Sequence, residues 1–241
     1  MTAFTAADYA ALLARLRASG DEKYRVFNES LMPGTANTYG VRAPVLRAIA
    51  RDLLSRDWRG FLDAARDDTH EEILLQGLVV AGAPCELPEK LVLLRAFIPK
   101  IHNWAVCDMT AASCKWRASD LSAVWDLLEP DLTAPEEFRV RFAAVLLLDY
   151  FWDDAWIDRA LAAYRRVTHS GYYVTMALAW GLSVFFVKQR EKTLPLLEQR
   201  VFSPAVHNKA IQKCRESFRV SEADKAYLQT LKIPRSTQAT L

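Results

Sequence analysis

The sequence predicts an all-α chain, an α-solenoid of stacked HEAT-like helical hairpins with a concave basic face. Three observations predict it. Apolar residues recur at helical spacing from the start, with Tyr9, Leu12, Leu13 and Leu16 at i, i+3, i+4 and i+7. No stretch alternates as a strand would, and only 8 Gly and 10 Pro are present, too few for a turn-rich all-β fold. About a dozen short helical segments follow one another with short connections, the pattern of stacked hairpins. Strict repeats are not visible, so degenerate repeats of ~40 residues fit better than a consensus array. An irregular helical domain is the competing arrangement.

The elements follow in order. After the first face, Val45, Ile49 and Leu53 are spaced by four within a helix expected over 44–54. Further helices are expected over 71–81, 88–97, 103–114 and 119–128, then 136–150, 155–167, 172–187, 192–198, 205–216 and 221–231. Pro44, Pro88, Pro135 and Pro204 open segments, which suits a first helical turn, where the missing N–H costs nothing. Asn103 is placed to cap the helix after it. Ser221 with Asp224 has the spacing of a capping box, with Asp where Glu is usual.

The chain has 241 residues, 51% hydrophobic and 25% charged, so it can bury a sizeable core. No linker composition divides it, so one domain over 1–233 with a frayed tail over 234–241 is expected. Cys85, Cys107, Cys114 and Cys214 form no CxxC pair and lie in apolar segments, as reduced, partly buried thiols of a cytoplasmic protein do. The N-terminus lacks the basic and apolar regions of a signal peptide, and no apolar run is long enough for a membrane span. The net charge of +2 does not itself indicate nucleic acid, so such a role must rest on where the charges lie. Nothing points to a metal or an organic cofactor, and a monomer is expected.

Five stretches carry the residues that could act. In "HNWAVCDMTAASC", Trp104 and Asp108 are four apart and share a helical face; a core tryptophan and an edge acid is the plain alternative. In "EEFRVRFAAVLLLDYFWDD", Arg141 precedes an apolar run, as a snorkelling arginine or a phosphate contact. In "GYYVTMALAWGLSVFFVK", Trp180 follows Tyr173 and Ala177 at helical period, a core pattern, and Gly181 would open space beside its ring. In "VHNKAIQKCRESFR", Lys209 and Lys213 share a face, with Asn208, Gln212, Arg215 and Arg219 on an adjacent one, suited to phosphate and sugar or merely solvated. Arg47 and Arg51 in "GVRAPVLRAIAR" form a second basic face, with the same alternative. A solenoid could bring such faces onto one wall.

Taken in order, "YGVRAPVLRAIARDL", "EEILLQGLVV", "IHNWAVCDMTAAS", "FRVRFAAVLLLDYF", "YYVTMALAWGLS" and "VHNKAIQKCRESFRVSEADKAYL" resemble the DNA-alkylation-repair glycosylases built from HEAT-like repeats, the AlkD family, over Tyr39 to Leu228. The resemblance implies a concave basic surface for double-stranded DNA and excision of N3- or N7-alkylated purines. It implies catalytic roles for Trp104, Asp108 and Trp180, a backbone contact for Arg141 and an N-terminal tyrosine at Tyr24. Two positions depart from the family pattern. Ala105 stands where an acid commonly follows the first tryptophan, and Ser183 where a basic residue commonly follows the second by three. They mark a divergent branch, for which non-catalytic binding of damaged or branched DNA is the alternative. A helical-repeat protein-interaction scaffold is a third reading.

Overall fold

The computed structural model describes residues 3–35 and 37–234. Among them are fourteen α-helices, three short 3₁₀ turns and no strand; one isolated antiparallel bridge joins Gly20 to Val41. The chain divides after Leu127 into two compact units. The expected tail, apart from Pro234, lies outside the described residues.

The first unit holds α1 (Ala6–Ala18), α2 (Glu22–Leu31), α3 (Ala43–Leu54), α4 (Trp58–Ala64), α5 (His70–Gly82), α6 (Leu87–Phe97) and α7 (Trp104–Ser113), with α8 (Leu121–Leu128) ending at the division. Most start on a side-chain cap: Thr5, Asp21, Asp57, Thr69 and Asn103 each accept a hydrogen bond from a backbone N–H of the first turn. The core helix is α5, which packs on α3, α6 and α7. Bare Gly77 lets Thr110 of α7 and Phe97 approach it closely; a Cβ there would collide with both. Buried Glu71 accepts the N–H groups of Tyr39, Gly40 and Val41 at 3.0, 2.8 and 3.1 Å, which fixes the entry to α3. The same turn needs Gly40, at φ 74°.

The second unit holds α9 (Glu137–Tyr150), α10 (Ile157–Arg166), α11 (Tyr172–Lys188), α12 (Arg190–Glu198), α13 (Pro204–Glu216) and α14 (Glu222–Thr230). The central helix is α11, packed on α9 and α13. From Val140 to Leu148 every residue of α9 is buried, and fully burying a Leu or Phe contributes about 1.5–3 kcal/mol each.

The expected helices are present within a few residues at either end. Two helices, α2 and α4, escape the periodicity. No residue of α2 is buried, so its apolar Val26, Phe27 and Leu31 trace no core stripe. The seven residues of α4 span too few turns for a period to show. The Ala118–Asp120 segment is a 3₁₀ turn rather than the start of α8. Pro44, Pro88 and Pro204 occupy first turns, but Pro135 does not: Glu136 takes extended backbone as N-cap, and α9 begins after it. Ser221 caps α14 through Asp224 N, while the Asp224 side chain accepts from the serine hydroxyl at 3.0 Å.

Candidate nucleic-acid interface

In the first unit, α7 turns Ala105, Val106 and Cys107 inward and leaves Trp104 and Asp108 half-buried on one face, one turn apart. The Trp104 indole N–H donates to Leu31 O at 2.9 Å, so the ring is fastened to the end of α2. Arg47, exposed on α3, donates to the hydroxyl of Ser113, the last residue of α7, at 3.1 Å. Arg51 is exposed one turn further along and has no ion pair among the described residues. Tyr24 lies on α2 with the Arg42 guanidinium 4.7 Å from its ring centre, and Arg42 also pairs with Asp21 at 2.8 Å. That pairing and the Tyr24 N–H hold the Asp21 carboxyl below the usual carboxylate range.

In the second unit, Arg141 does not snorkel to solvent. It is buried in α9, and its guanidinium donates to Tyr173 O in the first turn of α11 at 2.9 Å. Trp180 is half-buried and lines an open cleft of about 260 Å³ between α11 and the end of α13, with Ser183, Lys188, Lys213 and Arg219. Its indole N–H has no hydrogen-bond partner among the described residues. Gly181 does not open space beside that ring: the Tyr164 ring fills the place, its hydroxyl donating to Ala144 O at 2.6 Å, and a Cβ on Gly181 would collide with it. Ser183 donates back to Trp180 O at 2.7 Å.

The two sides of α13 have different work. Buried His207 bonds Leu231 O at 3.0 Å, and Asn208 bonds both N and O of Ile233 at 2.9 and 2.8 Å. Asn208 therefore holds the chain after α14 and does not join the polar face expected of it. The cations of α13, Lys209 and Lys213 on one face and Arg215 nearer the Asn208 side, with Arg219 beyond the helix end, have no acidic partner among the described residues. The single acid of α13, Glu216, accepts instead from Gln212 at 2.7 Å. Several other cations of the unit are paired, Arg139 with Asp131, Arg159 and Arg166 with Glu129, Arg190 with Asp224 and Lys192 with Asp158, whereas Arg165 and Arg200 are, like those of α13, without an acidic partner among the described residues. Cations left open on one helix, beside an indole, suit a phosphate backbone with a base or sugar against the ring.

Lys188 escaped the sequence reading, although it lies eight residues from Trp180 on α11 and so near the same face; its ammonium also rests 4.2 Å from the Trp152 ring centre. His70 and Thr35, which with the neighbouring His102 surround Asn103, left no local signal. Among the described residues no group of three or more His, Cys, Asp or Glu is arranged to hold a metal ion, and no helix is long and apolar enough to cross a membrane. None of the four cysteines is in a disulfide, and three of them are buried.

A family model described as DNA alkylation repair enzyme matches residues 12–213. No curated protein matches the chain, and no solved structure does.

Proposed function

The chain belongs to the DNA alkylation repair enzyme family, which gives it a role in DNA repair, and from that premise we propose that it is a DNA glycosylase removing N3- or N7-alkylated purines from double-stranded DNA. The observation that carries the proposal is the pairing of Trp104 and Asp108 on the open face of α7. Alkylation puts a positive charge on the purine and weakens its N-glycosyl bond. When that bond breaks, its electron pair goes to the base, which leaves neutral, and an oxocarbenium-like sugar remains. The Asp108 carboxylate stabilises that charge and orients the water whose oxygen adds to the anomeric carbon; the water's proton passes to the carboxylate or to solvent. The indole face of Trp104 attracts the cationic base through its quadrupole. The leaving group is already charged, so no strong general acid is required. The open cations of α3 (Arg47, Arg51) and α13 (Lys209, Lys213, Arg215) contact phosphates, and Trp180 offers a stacking surface; Arg141 and Tyr24 are the further proposed contacts.

Release of 7-methylguanine or 3-methyladenine from alkylated duplex DNA tests this reading directly, and a parent protein that releases neither base ends it. A second reading, binding of damaged or branched DNA without excision, is favoured by Ser183, whose hydroxyl is spent on Trp180 O and which brings no positive charge to the cleft. Salt-dependent binding without base release would select it. Ala105 bears less on the choice, because it is buried and lies off the open face of α7.

A further inference from the structure

Asn103, the N-cap of α7, stands where three segments meet. Its Oδ1 accepts from Val106 N at 2.9 Å, so the oxygen is committed to the helix and the amide nitrogen faces away. Three groups surround that nitrogen: Thr35 Oγ1 at 3.1 Å, His70 Nδ1 at 3.1 Å and His102 Nε2 at 3.0 Å. The tautomers follow. His102 Nδ1 lies 3.2 Å from Lys100 O, which can only accept, so Nδ1 carries the ring proton and Nε2 is bare. His70 Nδ1 faces an N–H donor and is bare as well. The two rings meet edge to face, 5.9 Å between centres. A proton added to either bare nitrogen would set N–H against NH₂. The amide can then recover a bond to the ring only by turning over, which takes its oxygen from Val106 N.

We infer that Asn103 is a positioning residue, an amide latch closed by two neutral histidines, and that protonation of His70 or His102 opens it, uncapping the turn that carries Trp104 and releasing Thr35. Neighbouring contacts make the opening consequential. Trp104, the residue after the latch, holds Leu31 O, and His70 N–H donates to Asn37 O at 3.1 Å, so the chain between α2 and α3 is tied to the same point. The charged groups of the surrounding elements are engaged elsewhere. Glu71 accepts from the turn at 39–41, Glu72 from Tyr9 and Thr69, Glu29 from Arg25 and Thr38, and Lys100 donates to Asp67 and Gln76. Asp108 lies a full turn further along α7. No carboxylate among the described residues bonds either ring, so nothing there favours imidazolium. Burial, and next the adjacent His102, push the His70 pKa down to about 4, in keeping with a ring held neutral.

The inference rests on the role proposed for the Trp104 face, but its test needs no DNA, so either can fail alone. Asn103→Asp keeps an N-cap oxygen and replaces the amide donor with an acceptor. In the parent, exchange of the Trp104 indole N–H relative to its intrinsic rate should accelerate in acid, by about tenfold for each pH unit between about 6.5 and 4, and level off below that. In Asn103→Asp the response should reverse, with protection retained in acid. An acid response of the same sign in both proteins overturns the latch. Should the variant fail to fold, long-range ¹H–¹⁵N correlations of the parent above pH 7 decide. Bare Nδ1 on His70 and bare Nε2 on His102 support the latch, and the opposite tautomer on either ring overturns it.

Discussion

Two tryptophans, one in each unit, sit on helices at half-buried positions and do different things. Trp104 spends its indole N–H on Leu31 O, so it is a fixed wall whose position depends on α2. Trp180 leaves its N–H without a partner among the described residues and faces a cleft lined by Lys188, Lys213 and Arg219. The first is held in place beside Asp108; the second is left open to the cleft. Helical spacing treats the two alike, because the difference lies in what each meets at long range.

Four tests would break or sharpen that contrast. The largest concerns the polar cluster around the fixed wall. The folded state holds His70 near pKa 4, whereas an unfolded chain takes up this proton near 6.5. A depressed folded pKa gives stability that is fully present above 6.5 and is lost as pH falls toward 4, a loss of about 3 kcal/mol at most. Urea midpoints across that window should fall in the parent and flatten in His70→Gln. Next, Trp180→Ala should weaken binding to duplex DNA by about 1–3 kcal/mol, read by titration at fixed salt, with little change in thermal midpoint. Smaller still, Trp104→Phe removes one hydrogen bond and should cost about 1 kcal/mol in denaturant unfolding, while Trp180→Phe, with no such bond to lose, should cost almost nothing. Equal costs would erase the contrast. The smallest effect is that of Lys213→Ala, which should leave stability unchanged and reduce the slope of log affinity against log salt by about 0.9.

Much of this fold could be read directly, and the reasons it could not be read further are physical. Asn103 before an apolar run announced the cap of α7, and the shared face of Trp104 and Asp108 followed from a spacing of four. Helix α2 stayed hidden because it buries nothing, and periodicity reports only burial. Arg141 looked able to snorkel because the carbonyl it meets, Tyr173 O, is 32 residues away. The space expected beside Gly181 is taken by Tyr164, a residue of another helix. The convergence of Thr35 and His70 on Asn103 and its neighbour His102 is likewise a product of chain folding, with no local pattern to signal it. On α13, the cations were legible, but the acids that might have paired with them had to be located in space before the cations could be seen to be open.

The central claim is that the Trp104 face performs chemistry while the cations bind. The direct measurement is single-turnover base release and DNA affinity, side by side, for the parent and Asp108→Asn. Loss of one such charge-stabilising group should slow release by about 100-fold or more while affinity stays within about twofold. Release by Asp108→Asn at the parent rate would contradict the account.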